Sequence, residues 1–467
     1  MRRLILAMLS FVVPIQVFAD TEGLPSGKVR VGAAAVELHG TDDLPLAGMM
    51  GPVKASGQDG MLRAVATVIQ GRPHNTRVAI VALDIEMIGR NWLDMAANEI
   101  ERKTGIPFDN VVINSTHTHY APAAARDFGV DEDRGFATQV KDAVVDAVFE
   151  ANRNLSSSPP SKALFIMGRE ATVGQNSRIE LRDGTVAWMT HPEAEQLRPT
   201  GPFDTDFPVM AFKRPDRSMA AVIFGHSTHN VGTPHPDRRS PAFYGLAAQS
   251  FEKETNAITT FINGASGSSH LIQLDGWRPT DASSYAELSI DAERRILDAI
   301  RYHVDQAPEI FVARVGSIKR EVAVSVRNFD EAKEEQAVSS YCKKWLGDLD
   351  GEKFAAIFRQ QRSELFAQRG KQRNTWISAT RIGDVAIVGV PAELFTQLGM
   401  DIKQRSPFRY TVIAELANDY VGYVGNADAY RLGGYQLWMG HHSWTERGTG
   451  ELLVNEAVKL LDELYAQ

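Results

Sequence analysis

Two histidine runs in this sequence have the spacing of chemical sites. Asn114-Ser115-Thr116-His117-Thr118-His119 follows the apolar run Val111-Val112-Ile113, and Gly225-His226-Ser227-Thr228-His229-Asn230 follows a second apolar run. Side chains two apart on a strand share a face, so His117 and His119 are expected to point together from a strand's carboxyl end, where open α/β sheets place their sites. Two imidazoles presented together suit a borderline cation such as Zn2+. They can equally satisfy loop carbonyls. In the second run both His226 and His229 could ligate, or one could ligate while the other bonds to substrate. His235, His270, His441 and His442 read more simply as polar loop residues.

Three further runs carry chemistry-bearing types. Glu393, in Val390-Pro391-Ala392-Glu393, follows an apolar strand and can either ligate a cation or complement a helix dipole. Tyr420, Tyr423, Tyr430 and Tyr435 cluster after Asn418-Asp419; such tyrosines pack as half-buried aromatics, ligate as phenolates, or donate to a developing oxyanion. Asn263-Gly264-Ala265-Ser266-Gly267-Ser268-Ser269-His270 offers backbone N–H groups to a ligand, and Ser266, Ser268 or Ser269 as a nucleophile. It is not the Gly-x-Ser-x-Gly elbow.

These runs need a scaffold, and the elements around them predict an α/β one. Val29–Ala35, Arg77–Ile85 and Asn110–Asn114 read as strands. The last two flank a helical pattern with Trp92, Ala96 and Ile100 on one face and Gly105 as its stop, a βαβ signature that favours a mixed sheet core covered by helices. A second helix is expected over Phe136–Asn152. Ala163–Met167, Val209–Lys213, Ala220–Gly225, Ile258–Ile262 and Arg409–Glu415 follow as strands, Trp376–Ile382 and Val385–Val390 as a hairpin about Gly383-Asp384, and Glu451–Tyr465 as a closing helix. Residues 285–369 read as a helical excursion. One domain over 20–467 is expected, because the candidate residues are scattered along its length.

Composition narrows the function classes. With 467 residues and 43% hydrophobic types the chain can bury a large core. The formal charge of −8 argues against a nucleic-acid partner, which needs a basic face. The single Cys342 rules out an intrachain disulfide and multi-cysteine metal sites. Arg2 and Arg3, the apolar stretch Leu4–Val17 and Val17-Phe18-Ala19 form an export-leader pattern over 1–19, so a periplasmic or secreted protein is expected, with no transmembrane helix in the mature chain.

In this order, the runs resemble the amidohydrolase domain of the neutral, non-lysosomal ceramidases. The likeness extends from about Val29 onward and is carried by Met49-Met50-Gly51, Thr116-His117-Thr118-His119, Asn176-Ser177-Arg178 with Asp183-Gly184-Thr185, His226-Ser227-Thr228, Pro391-Ala392-Glu393 and Asn418-Asp419-Tyr420 through Tyr423. The resemblance implies one zinc ion held by His117, His226, Glu393 and Tyr423. It places His119 beside the metal and Arg178 on the substrate's polar head; from their chemistry, Tyr435 or Tyr420 could stabilise the oxyanion, and the sequence does not choose between them. Two features depart from the family pattern. Gly264 stands where ceramide-cleaving members carry a serine, with Ser268 in place of an aspartate, and no immunoglobulin-like C-terminal domain is expected after the closing helix.

The implied activity is a zinc-dependent hydrolase cleaving an amide of an N-acyl lipid, or an ester. Zinc lowers the pKa of its water from ~15.7 toward ~7, which makes a serine unnecessary. The sequence leaves two alternatives open: the same metal site turned to a lactone, carbohydrate ester or lyase reaction, and a non-catalytic envelope binding protein.

Overall fold

The computed structural model describes residues 24–187, 193–271 and 285–467; the leader expected at 1–19 lies outside the described residues. Three sheets of four or five strands form the scaffold. In the first, Arg30–Glu37, Arg63–Gly71 and Thr76–Leu83 pair antiparallel, and Val111–Ser115 joins parallel to Thr76–Leu83. The second is ordered Ile258–Asn263, Met219–His226, Asp206–Lys213, Lys162–Arg169 and Glu309–Ile310, and its first pair is parallel. The third is ordered Val315–Ser325, Gln372–Ile382, Val385–Gly389 and Tyr410–Ala414, and its last pair is parallel.

One face of each sheet meets the other two. Val31, Ile80 and Val112 of the first, Phe165, Phe212 and Ile223 of the second, and Val385, Ile387 and Val412 of the third share one apolar core. Helices cover the outer faces, as the βαβ pattern predicts. Arg90–Thr104 buries Leu93, Ala96, Ala97 and Ile100 and stops where Gly105 turns left-handed at φ 69° and returns its N–H to the Glu101 carbonyl. Arg134–Ser156 starts where the Asp133 carboxylate accepts from Phe136 N–H at 2.7 Å. Ala242–Thr255 and Tyr285–Gln306 cover the second sheet, and Thr396–Arg405 and Thr449–Ala466 pack on the third.

The expected excursion over 285–369 is not wholly helical. Tyr285–Gln306, Glu331–Leu346 and Asp348–Phe366 are helices, but Val315–Ser325 is a strand paired along its whole length with Gln372–Ile382. Lys319-Arg320-Glu321 at its centre interrupt the apolar pattern, and the strand buries Val315 from one face in one core and Val322 and Val324 from the other face in a second.

The three parallel pairs direct their carboxyl ends to one place, and residues 415–418 join them there. Glu415 N–H donates to the Asn263 carbonyl at 2.9 Å, Ala417 N–H to Val390 at 2.8 Å, and Asn418 N–H to Ile113 at 2.8 Å. This turn requires a left-handed backbone at Leu416 (φ 51°) and Asn418 (φ 63°).

Candidate metal centre

Each side chain of the centre leaves the scaffold just beyond one of these parallel pairs. His117 lies two residues past Val111–Ser115 and His229 three past Met219–His226, while Glu393 and Tyr423 form a short parallel bridge beyond the third pair. His117 and His119 do converge, but not by strand alternation. His117 is in the left-handed region at φ 63°, and a turn rather than a pleat brings its Nε2 within 3.4 Å of the His119 Nε2.

The hydrogen bonds at the rear of the rings determine what their front atoms can do. His117 Nδ1 lies 3.0 Å from the Glu86 carbonyl, His119 Nδ1 3.1 Å from Gly48 and His229 Nδ1 3.1 Å from Ser266. A carbonyl only accepts, so each Nδ1 carries the proton and each neutral ring turns an Nε2 lone pair forward. The three ring donors lie within 4.8 Å of one another, with the His117 and His229 Nε2 atoms 2.9 Å apart. Glu393 Oε2 is 3.2 Å from each of those two atoms and has no hydrogen-bond donor. The Tyr423 hydroxyl completes the group, 2.9 Å from His229 Nε2.

Lone pairs facing one another in a dry site repel unless a cation lies between them. A four-coordinate ion with bonds of about 2.0–2.1 Å needs donors roughly 3.3 Å apart, and the nearest separations here are 2.9 to 3.4 Å. The donor set is therefore able to hold a metal ion, and the Nδ1–carbonyl bonds are the outer-shell contacts that fix the rings of a metal-binding histidine.

Electrostatics agree with a site made for a cation. Burial, reinforced by the neighbouring imidazoles, holds His119 well below its ordinary range and lowers His229. Burial pushes the Glu393 carboxyl up, but protons on the facing nitrogens of His117 and His229 outweigh it and hold the group well below the carboxylate range, so positive charge at this point keeps the carboxylate ionised. Burial, then Glu393, raises Tyr423 and Tyr420 well above the usual phenol range. Tyr420 O–H donates to Glu393 Oε1 at 2.9 Å and so fixes the carboxylate's orientation. Gly48 packs close against His119, and a Cβ there would strike the ring and the Glu86 carboxylate.

Two residues implied by the resemblance stand elsewhere. His226 is the last residue of its strand, held in register with Asn263; its Nδ1 is 2.6 Å from the Tyr244 hydroxyl and its Nε2 2.9 Å from the Glu170 carbonyl. With both nitrogens engaged away from Glu393, His226 is not part of the centre, and His229 takes that place. Arg178 is fully buried rather than open to a head group. It donates to Gln436 Oε1 at 2.9 Å and to the Gly433 carbonyl at 2.6 Å, with its guanidinium over the Phe395 ring. Burial lowers its pKa to about 10. It braces the segment that carries Tyr435, whose hydroxyl lies 3.3 Å from that of Tyr423.

The candidate nucleophiles are all engaged. Ser266 Oγ bonds to Glu415, Ser268 Oγ to Thr396 Oγ1 at 3.1 Å, and Ser269 Oγ to the Ser227 carbonyl, and all three residues are buried. At Gly264 a side chain would collide with Ser227 Oγ. Two carboxylates near the centre, Glu86 and Glu415, carry no distinguishing signal in the sequence pattern, and His270 reads there as a polar loop residue. Glu86 lies 4.0 Å from His119 Nε2, with its carboxyl raised well above the ordinary range by burial and then by Asp127 and Glu393. His270 stacks on His229 with ring centroids 4.1 Å apart. Glu415 lies behind the centre, its carboxyl group accepting from Ser266 N–H at 3.0 Å and Leu394 N–H at 2.9 Å.

A buried cluster of imidazole, carboxylate and phenol groups at the carboxyl ends of parallel strands defines an α/β protein with a candidate metal centre. Residues 44–350 match the model of the neutral/alkaline non-lysosomal ceramidase family, N-terminal part, and the chain belongs to that family. Among solved structures it is similar to a ceramidase complexed with C2, at 17% identity and a TM-score of 0.74 over 94% of this chain and 75% of that one. It is also similar to neutral ceramidase from Pseudomonas aeruginosa, at 18% identity and a TM-score of 0.70 over 95% and 75% of the two chains. No curated protein matches its sequence. Among the described residues no helix is long and apolar enough to cross a membrane.

Proposed function

We propose that the protein is an exported zinc-dependent hydrolase that cleaves the amide of an N-acyl lipid, or an ester, with water as the nucleophile. The observation that carries this reading is the convergence of three Nε2 lone pairs with Glu393 and Tyr423 on one point. His117, His229, Glu393 and Tyr423 hold the ion. The ion supplies Lewis-acid polarisation of an acyl carbonyl and a water acidic enough to attack at neutral pH.

The chain's own groups do the rest. His119 keeps its proton on Nδ1 toward Gly48 and faces the centre with Nε2, so it accepts the proton of the attacking water and passes it to the leaving group. The Tyr435 O–H stands beside Tyr423, where it can donate to the developing oxyanion. Water rather than serine is favoured because Ser266, Ser268 and Ser269 are hydrogen-bonded within the fold. The lipid amide comes from family membership, and export rests on the leader pattern at 1–19 alone.

The test combines elemental analysis of the purified chain with product identification by mass spectrometry on a panel of N-acyl lipids and carboxylic esters. One zinc per chain and release of a free acid support the proposal. Full turnover in a metal-free preparation, or no acyl product from any member of the panel, overturns it.

A further inference from the structure

Glu415 is a carboxylate with no exposed surface, set in the run Ile413-Ala414-Glu415-Leu416-Ala417. Its four hydrogen-bond donors are all uncharged. Oε1 accepts from Asn263 Nδ2 at 3.1 Å and from the Ser266 hydroxyl; Oε2 accepts from Ser266 N–H at 3.0 Å and Leu394 N–H at 2.9 Å. Burial without a cationic partner pushes this carboxyl well above its ordinary range, and the Ser266 and Leu394 donors pull it only part of the way back. Those donors come from two segments that Glu415 thereby clamps together. One is the turn after Ile258–Asn263, where the Ser266 carbonyl orients His229 through Nδ1. The other begins with Glu393, whose neighbour Leu394 supplies the fourth donor.

We propose that Glu415 is a positioning residue that sets the separation of His229 and Glu393, so that the serine-rich turn acts as a clamp for the metal centre rather than as a source of nucleophile. The inference rests on the metal-centre reading above. A single side chain reaches the backbone behind one donor and beside the other, and those two donors face each other at 3.2 Å. Outer-shell partners of this kind typically alter metal affinity by about 10–100-fold when removed.

Glu415→Gln tests it, because the amide keeps the shape but offers one acceptor oxygen in place of two to the donors of the two segments. Ser268→Ala is the control. Ser268 joins the same two segments through Thr396 N–H at 3.0 Å but bonds to neither Glu415 nor His229. Zinc affinity is measured by competition with a chelator at a temperature where circular dichroism shows each metal-free variant folded, and the coordination geometry is followed by the visible spectrum of the cobalt-loaded protein. The expected result is an affinity about 10–100-fold weaker and an altered cobalt spectrum in Glu415→Gln, with both unchanged in Ser268→Ala. Equal effects in the two variants, or wild-type affinity in Glu415→Gln, overturn the proposal. A wild-type chain that binds no zinc overturns the metal-centre reading itself, and this inference with it.

Discussion

Val111–Ser115 stops two residues short of His117, whereas Met219–His226 runs through the first histidine of its own run. The two runs therefore present their rings in different ways. In the first, the backbone leaves the sheet early, turns left-handed at His117, and brings both rings to the centre. In the second, sheet register holds His226 against Asn263 and its ring bonds to Tyr244 and Glu170, and only the later His229 reaches Glu393. In both runs the residues that reach the centre are those released from the ladder. A histidine still paired in a strand has a direction fixed by the pleat; one just past its end can be aimed by carbonyls behind it.

The most direct way to break this comparison is to truncate each histidine of the second run. On the proposed function, His229→Ala is expected to lose the metal and lower kcat/KM by about 10^3-fold or more, since such an ion is worth several kcal/mol to the transition state. His226→Ala is expected to retain one metal per chain and to lose about 1–3 kcal/mol of stability through the unpaired Tyr244 and Glu170 groups. Elemental analysis beside urea unfolding separates the two. Metal loss in His226→Ala with retention in His229→Ala would invert the assignment.

Much of this site was legible in residue type and local spacing, because a histidine pair or a Pro-x-Glu after an apolar run is a local signal. The choice between His226 and His229 was not, because it depends on where a strand ends, and that is fixed by pairing with Ile258–Asn263 some thirty residues away. The role of Arg178 was hidden for a similar reason: its acceptors Gln436 and Gly433 come from the far end of the chain. Glu415 did leave a trace, a lone acid in an apolar run. Yet an acid at a strand end has no local mark that separates a buried clamp from a solvated residue. Most strands follow the apolar patterns, but two long ones are not read from them: Arg63–Gly71, paired on both sides in the first sheet, and Val315–Ser325, whose central charges break the alternation.

A third histidine pair sharpens the comparison through pH. His441 is partly exposed and sits 3.3 Å from Glu364, while His442 has no exposed surface and lies 2.8 Å from the Tyr435 carbonyl through Nε2. Burial pushes His442 from 6.5 down to about 4. The folded ring stays neutral in that window while the unfolded chain takes up a proton, so stability is constant above about pH 6.5 and is lost as pH falls toward 4. The loss is roughly 3 kcal/mol at most. Urea unfolding of the metal-free protein against pH, in wild type and His442→Gln, isolates it. The variant is expected to show a slope shallower by up to one proton between these limits, and parallel curves would rule the assignment out.

The smallest effects come one bond behind the rings, where two tyrosines differ by a hydroxyl each. Tyr420 donates to Glu393 Oε1 at 2.9 Å, and the Tyr244 hydroxyl meets His226 Nδ1 at 2.6 Å. Because His226 Nε2 faces the Glu170 carbonyl, that nitrogen carries the proton and Nδ1 accepts from Tyr244. Removing either hydroxyl leaves a buried acceptor unpaired, so both Phe variants are expected to lose about 1 kcal/mol of metal-free stability. They should part only when metal is added. On the proposed metal-centre reading, Tyr420→Phe frees a ligating carboxylate and its zinc affinity should fall by about 10–100-fold; Tyr244→Phe disturbs a histidine outside the centre, and its affinity should match wild type. Chelator competition on the two proteins measures the difference without depending on which substrate is turned over. Equal affinities would mean that Glu393 does not need Tyr420 to hold its orientation, whereas a weaker Tyr244→Phe would return His226 to the metal centre despite its position in the sheet.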